Sequence, residues 1–406
     1  MPAADIAWLL TASALVLFMT LPGLALFYGG LVRAKNVLSV LMHCFMLAAV
    51  MSVAWVVLGF SLAFSGSGQW IGDLNNIFML GTARGEDQLL ALFQMTFAII
   101  TPALIIGAFV ERVKFGFVIL FSLLWMLICY APVAHWVWGG GILSADSALG
   151  FFAGKGVQDL AGGVVVHTTA GVAALVLAIM IGKRPGFPKG VQPPHQPVLV
   201  MVGASMLWVG WFGFNGGSPF AANGDAVAAA FVTHISAATA CVTWMLWERM
   251  RFGKASLIGI ATGMVAGLAS ITPAAGHVGP MGALVIGGVA GILCQEMINI
   301  VKQNFSIDDS LDVFAVHGVG GIWGTLALPF LAVAGLGGAG LGDGVSVMGQ
   351  FVVQIAGVVI VALFTIVTTV VITLIVRAIV GMRTDSDTEL EGLDLTAHGE
   401  RAYDLT

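Results

Sequence analysis

Long apolar segments occupy most of this chain, and short polar segments separate them. Segments of about 18 or more apolar residues are long enough to cross the ~30 Å hydrocarbon core of a bilayer as helices. Eleven such segments are predicted, at residues 6–32, 40–64, 89–110, 115–138, 160–182, 198–217, 226–247, 257–272, 278–300, 313–334 and 348–376. The pattern therefore predicts an all-α polytopic membrane protein with eleven transmembrane helices, of which the eighth is the shortest.

Basic residues fall in alternate loops, and this alternation sets the predicted orientation. One set of loops and the C-terminal tail hold most of them: Arg33, Lys35, Arg112, Lys114, Lys183, Arg184, Lys189, Arg249, Arg251, Lys254, Lys302, Arg377, Arg383 and Arg401. The opposite loops hold only Arg84 and Lys155. The positive-inside rule then places the N-terminus outside and the C-terminus inside. The alternation also supports eleven helices, because a missed helix would interrupt it.

Composition agrees with a membrane setting. Hydrophobic residues make up 59% of the 406 residues and charged residues 9%, and there are 54 glycines. So little charge is unusual for a soluble domain, and glycine is frequent where transmembrane helices approach closely. The first apolar segment is too long for a cleavable signal and continues directly into Arg33. The net charge of −5 is slight, and no nucleic-acid partner is expected.

The four cysteines stand singly within apolar segments, at Cys44, Cys129, Cys241 and Cys294. Their separation argues against a disulfide framework or a clustered metal site. We therefore predict no metal and no cofactor.

Two segments each place an aspartate eight residues before a histidine: Asp159 before His167, and Asp309 before His317. Eight helical residues rise ~12 Å, close to half of the hydrocarbon core, so both imidazoles are predicted near the midplane. The first segment starts outside and the second inside, so the two run antiparallel. Polar side chains at that depth are costly and usually mark a substrate or proton path.

A second pair of segments supports an inverted repeat. Residues 26–30 (LFYGG) end the first predicted helix, and residues 213–217 (GFNGG) end the sixth in the opposite direction. The predicted halves are residues 6–182 and 198–334, and the helix at 348–376 is an addition. Residues 1–382 would form the membrane domain, and residues 383–406 a polar cytoplasmic tail.

Several polar residues have a structural interpretation. Asp159 begins a helix, where capping is natural, and we prefer a cap that also shapes the outer site electrostatically to direct ion coordination. Asp309 and Asp312 are interpreted likewise as capping and loop-fixing residues. The remaining histidines are interpreted as core, loop or tail residues: His43, His135, His234 and His277 in the core, His195 in a loop and His398 in the tail.

The outer mouth collects aromatic residues and a hydroxyl. Trp138 ends the fourth helix, Phe93 and Phe97 lie in the third, and Ser218 follows the sixth. Aromatic faces and a hydroxyl acceptor suit a small cation, with cation–π attraction of ~0.5–2 kcal/mol. Any one aromatic also has a packing explanation, because Trp and Tyr collect at membrane interfaces.

The sequence resembles the ammonium transporter family (Amt/Mep, with the Rhesus proteins as distant relatives). The segments that carry the resemblance are residues 22–36, 134–141, 159–167, 210–218 and 312–319, with residues 391–403 in the tail. The resemblance covers nearly the whole chain. It implies a transporter rather than an enzyme, assembled as a homotrimer with one pore per subunit. Methylammonium would be a surrogate substrate.

Position by position, the resemblance implies a role for each residue already singled out. Phe97, Trp138 and Ser218 match the outer recruitment site for NH4+, and Asp159 supports that site. Phe97 and Phe214 match the pore gate, and His167 and His317 match the twin histidines. Phe93 and Trp211 are weaker assignments. Two departures stand out. Extra residues lie between Trp138 and Asp159, at 144–158, and Leu160 stands where an aromatic is usual.

The implied mechanism is deprotonation of NH4+ at the outer site and passage of NH3 through the pore. Neutral conduction and net charge transfer both remain open, and the resemblance favours electrogenic transport. The tail implies regulation, with a PII-type signalling protein as partner. The short loops suggest a prokaryotic inner or plasma membrane.

Two other functional classes remain open. A sensor would use the polar tail for its output. A membrane cytochrome would use His167 and His317 as axial haem ligands.

Overall fold

A computed structural model describes residues 1–145, 147 and 156–403, so most of the predicted extra loop at 144–158 lies outside the described residues. In the described part of the chain, ten helices are long and apolar enough to cross a membrane, and one apolar helix is shorter. The eleven are α1 (Ala3–Leu31), α2 (Ala34–Phe64), α3 (Glu86–Ala108), α4 (Phe115–Trp138), α5 (Gly163–Ile181), α6 (Pro197–Gly216), α7 (Gly224–Phe252), α8 (Leu257–Ile271), α9 (Pro280–Asn304), α10 (Phe314–Leu331) and α11 (Val347–Val380). Two short helices follow in the tail, α12 (Ser386–Glu391) and α13 (Leu393–His398). The chain is thus an all-helical, multi-pass membrane protein.

The helices follow the predicted apolar segments, with differences at their ends. The fifth begins at Gly163 rather than at residue 160, after a left-handed Gly162 with φ of 108°. The eighth has 15 residues, about 22 Å of helix, which is less than the thickness of a hydrocarbon core. Helix length alone does not establish how many helices cross the bilayer, so the count of eleven crossings and their orientation remain predictions.

The helix contacts are consistent with the predicted inverted repeat. Helices α1 and α6 run antiparallel. Ala12, in the first half of α1, contacts Gly213 near the end of α6, whereas Gly30, at the end of α1, contacts Val200 near the start of α6. Helix α2 contacts α3 and α4, as α7 contacts α8 and α9. The helices that carry the two histidines, α5 and α10, also pack against each other.

Glycines allow α5 and α10 to cross at backbone contact. A Cβ atom added at Gly171 would lie 2.3 Å from the Cα of Gly318, and one added at Gly321 would lie 2.6 Å from the carbonyl oxygen of Gly163. No side chain fits in that space. Because small residues let transmembrane helices approach closely, the crossing brings the two histidine-bearing turns together.

The histidine-bearing turns are π-helical. His167 lies in the turn Gly163–Thr168, and His317 lies in the turn Phe314–Val319. A π-helical turn contains one more residue than an α-helical turn, and such turns are frequent at functional sites.

A buried cluster of charges ties together the loops on the face that holds most of the basic residues. Arg112 is fully buried, and its Nη2 atom donates to the carbonyl oxygen of Asp308 at 2.7 Å. Arg184 pairs with Asp308 at 2.8 Å and with Glu111 at 3.4 Å. Burial alone would raise the pKa of each carboxyl, but the arginines, including Arg33 beside Glu111, hold both pKa values below the ordinary range. The cluster therefore favours ionised carboxylates and joins the α3–α4 loop to the α9–α10 loop.

The tail docks against the same face. The Arg383 Nη2 atom donates to the carbonyl oxygen of Lys183, just beyond the end of α5, at 2.9 Å. The Asp394 carboxylate accepts the backbone N–H of Ser39 in α2 at 2.8 Å. Polar contacts thus connect the tail with the ends of two membrane helices.

Candidate functional site

Three cavities follow one another through the molecule. The first, which we name the outer vestibule, has a volume of about 660 Å³ and is bordered by Phe97, Trp138 and Ser218. The second, the central cavity, offers about 10 Å³ and is bordered by both His167 and His317. That is space for about one small molecule. The third, the inner vestibule, offers about 260 Å³ and is bordered by His317 together with 15 other residues, which include Phe27, Asp312 and Lys302.

The outer vestibule brings together three of the predicted recruitment residues. The rings of Phe97 and Trp138 meet edge to face with centroids 6.0 Å apart. The Ser218 hydroxyl donates to the carbonyl oxygen of Phe214 at 2.8 Å, which leaves its oxygen lone pairs to accept a hydrogen bond. Phe93 lies behind this wall, with its ring centroid 5.1 Å from that of Phe97.

Asp159 lies behind the vestibule and caps α5. Its carboxylate accepts four backbone N–H groups, those of Gly162, Gly163, Val164 and Val165, at 2.6–3.1 Å. Burial raises the pKa of this carboxyl, and the four donors oppose that rise. The Asp159 carbonyl oxygen accepts the indole N–H of Trp138 at 2.8 Å. Asp159 therefore acts on the vestibule through a helix terminus and through Trp138 rather than by lining it.

Two stacked rings separate the outer vestibule from the central cavity. Phe97 borders the first and Phe214 borders the second. Their centroids lie 4.2 Å apart, with 25° between the ring planes, and both rings are buried. The contact closes the path with hydrocarbon.

The two histidines contact each other in the central cavity. Their Nδ1 atoms lie 3.2 Å apart and their ring planes are inclined by 17°. One Nδ1 must carry a hydrogen and the other a lone pair for this contact to be attractive. Trp211 stacks on His167, with centroids 5.5 Å apart, and its indole N–H donates to the Thr272 hydroxyl at 2.9 Å. The His167 ring is thus held between Trp211 and His317.

This geometry does not fit the haem alternative. Two axial ligands of one iron lie on opposite faces of a porphyrin. The ring nitrogens of His167 and His317 are in hydrogen-bond contact, so no plane fits between them. Among the described residues, no group of three or more His, Cys, Asp or Glu side chains is placed to hold a metal ion.

Of the two aspartates before α10, Asp309 acts as the predicted cap and Asp312 does not. Asp309 accepts the backbone N–H of Phe314 at 2.8 Å, as a cap does. Asp312 instead has a left-handed φ of 63° and pairs with the Lys302 ammonium at 2.6 Å, at the edge of the inner vestibule. Burial, and next the neighbouring Asp312, raise the pKa of Asp309 to about 6.

The structure also brings residues to the path that sequence reasoning did not select. Phe27 and Val265 border both the central cavity and the inner vestibule, and Phe220 borders the outer vestibule with a φ of 57°. The sequence could have indicated Phe27, because aligning residues 26–30 with residues 213–217 places Phe27 opposite Phe214, the predicted gate residue. Nothing in the sequence marked Val265 or Phe220, since one lies in a uniformly apolar helix and the other in a loop.

Most of the other histidines have structural partners away from the path. His135 faces the carbonyl oxygens of Ala63 and Gly68 at 3.0 and 2.5 Å. His195 contacts the carbonyl oxygen of Val32 and the Tyr403 hydroxyl. His43 is buried and stacks on Phe115, and His398 meets the same ring edge-on. His234 packs near Trp208 but is exposed, so its interpretation as a core residue was wrong. The His277 carbonyl oxygen accepts the N–H of Ala339.

Comparison with known proteins identifies the family. The model of the Ammonium Transporter Family matches residues 7–403. An ammonium transporter of Aquifex aeolicus is 44% identical, over 98% of this chain and 93% of the relative, and ammonium transporter Amt1 of Archaeoglobus fulgidus is 42% identical, over 98% and 99%.

Solved structures give the same result. Mep2 of Candida albicans superposes with a TM-score of 0.86 at 33% identity, covering 99% of this chain and 91% of that one. A chain described as a Sensor Amt Protein superposes with a TM-score of 0.89 at 28% identity, covering 98% of each chain. The match extends over nearly all of the helices that surround the three cavities, and the chain is therefore a member of the ammonium transporter family, a family of membrane transporters and channels rather than enzymes.

Proposed function

We propose that this protein recruits NH4+ in the outer vestibule, removes its proton and conducts NH3 past His167 and His317, with the proton transferred separately. The observation that carries the proposal is a row of three cavities. The Phe97–Phe214 stack separates the first from the second, and the histidine pair borders the second. A single small, mostly apolar central cavity favours a neutral molecule over a hydrated ion.

Recruitment rests on the walls of the outer vestibule. A cation against the aromatic wall formed by Phe97 and Trp138 gains cation–π attraction of ~0.5–2 kcal/mol, and the Ser218 oxygen accepts one of its N–H groups. Asp159 adds a buried negative charge behind Trp138. Together these contacts favour a small cation that can donate hydrogen bonds.

Selectivity rests on the gate. Potassium and ammonium are similar in size, so a size filter discriminates poorly between them. Moving a bare ion past two buried phenyl rings costs far more than moving a neutral molecule. Ammonium can lose a proton and cross as ammonia, and potassium cannot.

The histidine pair supplies polar groups where the path is otherwise apolar. In the described part of the chain, the buried Nε2 atom of His167 has no hydrogen-bond partner, so it is available to a molecule in the central cavity. The shared Nδ1 contact also lets a hydrogen pass between the rings. The pair therefore offers hydrogen bonds to ammonia and a route for the separate proton.

The deciding experiment measures current from proteoliposomes after a rapid ammonium jump, with potassium as the control ion. A transient with ammonium alone, reduced in Asp159→Ala, is the expected result. Ammonium-driven pH change without current would mean neutral ammonia conduction. Absence of both signals in correctly folded protein would contradict the transport proposal.

Assembly and location belong to the same proposal. We infer a homotrimer in a prokaryotic inner or plasma membrane, with residues 1–382 as the membrane domain and residues 383–406 as a cytoplasmic regulatory tail that meets a PII-type protein. The support is the family membership and the polar docking of α12 and α13. Native mass spectrometry in detergent should give three copies of the chain.

A sensor function is the second candidate. It is favoured by the docked tail and by the similarity to a chain described as a Sensor Amt Protein. Deleting the residues after Met382 separates the two functions. A transporter keeps a measurable ammonium current without its tail, whereas a pure sensor has no current to keep.

A further inference from the structure

Helix α11 lies outside the two predicted halves, yet it contributes a buried amide side chain beside the outer vestibule. Gln354 is fully buried. Its Oε1 atom accepts the backbone N–H of Gln158 at 2.9 Å, and its Nε2 atom donates to the carbonyl oxygen of Gln158 at 2.8 Å. One side chain thus supplies the pairing that a neighbouring β-strand would supply.

The surrounding contacts show why the segment needs this partner. Residues 156–160 form no regular secondary structure, so their buried backbone groups must find partners elsewhere. The Gln350 Nε2 atom donates to the carbonyl oxygen of Gly156 at 2.9 Å. The Gln354 Nε2 atom also reaches the carbonyl oxygen of Thr325 in α10 at 3.3 Å. A carboxamide buried in a membrane helix is costly unless it is hydrogen-bonded, and Gln354 uses both of its polar atoms.

The clamped residue lies next to the recruitment machinery. Gln158 directly precedes Asp159, which caps α5 and accepts the indole N–H of Trp138. Helix α11 also contacts α4, which ends at Trp138; the rings of Trp136 and Phe364 lie 4.6 Å apart. Helix α11 therefore holds both sides of the Trp138–Asp159 contact.

We propose that Gln354 is a positioning residue for ammonium recruitment. By fixing the backbone at Gln158, it fixes the carbonyl oxygen of Asp159 and with it the orientation of Trp138 at the vestibule. This inference rests on the proposed function. Loss of the clamp weakens ammonium binding, while the gate and the histidines, which Gln354 does not touch, keep their arrangement.

The test compares Gln354→Leu with Thr373→Val in proteoliposomes. Thr373 is a matched control because it is a buried polar residue of the same helix, and its hydroxyl has no hydrogen-bond partner in the described part of the chain. We expect Gln354→Leu to raise the half-saturating ammonium concentration about tenfold, with the maximal rate per folded protein within about twofold of wild type. Thr373→Val should match wild type. An unchanged half-saturating concentration, or a lower maximal rate alone, overturns the inference.

A second variant and a second readout keep the test independent of yield and of transport. Gln354→Met keeps the side-chain length but loses the acceptor and both donors, so it too should raise the half-saturating concentration. Hydrogen exchange of the amides at 157–165 should become faster in both variants and stay unchanged in Thr373→Val. A wild type without ammonium flux would refute the proposed function, whereas normal wild-type flux with unchanged exchange in the variants would refute the clamp alone.

Discussion

His167 and His317 form one unit, because a single hydrogen bond between their Nδ1 atoms ties the tautomer of one ring to that of the other. Stacking on Trp211 further fixes the His167 ring. The hydrogen-bonding role of either ring in the pore therefore depends on both, and replacing one should disturb the other.

Replacing both histidines by alanine should remove the polar groups of the central cavity. We expect His167→Ala combined with His317→Ala to lower ammonium flux, or its selectivity over potassium, by about tenfold or more, equivalent to ~1.4 kcal/mol. The measurement is the ammonium and potassium current in proteoliposomes. His234→Ala is the control, since this exposed ring lies away from the three cavities. Unchanged flux together with unchanged potassium exclusion would sink the proposed role.

Asp309 should give the stability of the protein a pH dependence. Burial and Asp312 raise its pKa to about 6, against the pull of Lys302, which pairs with Asp312. Between about pH 4 and pH 6 the folded protein keeps a proton here that the unfolded chain has lost. The stabilisation from that proton is present at low pH and disappears as the pH rises through about 6.

The substitution Asp309→Asn removes this titration. We expect the variant to exceed the wild type in unfolding free energy by on the order of 2 kcal/mol at pH 7.5 and to match it near pH 4. Thermal unfolding in detergent at the two pH values measures this. The same difference at both pH values would argue against a titrating Asp309.

At the scale of helices, the crossing of α5 and α10 decides the geometry of the histidine pair. The sequence shows the glycines, but the apolar pattern does not show which glycine meets which helix. Nor does it predict the π-helical turns, because an apolar segment has the same composition whether a turn is α- or π-helical. Only the packed structure reveals that Gly171 and Gly318 are in contact.

Adding one methyl group at this crossing should separate the helices. Gly171→Ala places a Cβ atom 2.3 Å from the Cα of Gly318, so the backbone must move. We expect a loss of about 1–3 kcal/mol in unfolding free energy and a lower ammonium flux, because the histidine contact widens. Gly116→Ala is the matched control, since nothing lies within 4 Å of an added Cβ atom there. Equal melting temperatures for the two variants would contradict the close crossing.

At the scale of the whole molecule, the distribution of basic residues predicts the orientation in the membrane. Leu80, in the α2–α3 loop, is 84% exposed, and Glu400 in the tail is exposed on the opposite face. In intact cells, a membrane-impermeant thiol reagent should label Leu80→Cys and spare Glu400→Cys. Permeabilised cells should show labelling of both. The reverse pattern in intact cells would invert the predicted orientation.

The positions of the helices could be predicted from the sequence because about 18 or more consecutive apolar residues have few stable alternatives to a membrane helix. The same rule predicts the approximate depth of the two histidines, near the midplane. The start of α5 could not be predicted. The helix begins at Gly163, three residues after the apolar pattern begins, because Asp159 caps it and Gly162 adopts a left-handed conformation.

The sequence by itself determined the helical class, the family and the residues that resemblance assigns to the site, since these depend on composition, local periodicity and short motifs. Tertiary structure alone decided which rings touch: the 4.2 Å stack of Phe97 on Phe214, the 3.2 Å contact of His167 with His317, and the separation of the path into three cavities. It also decided the clamp of Gln354 on Gln158. These contacts join residues 117 to 196 positions apart, and their geometry depends on how whole helices pack.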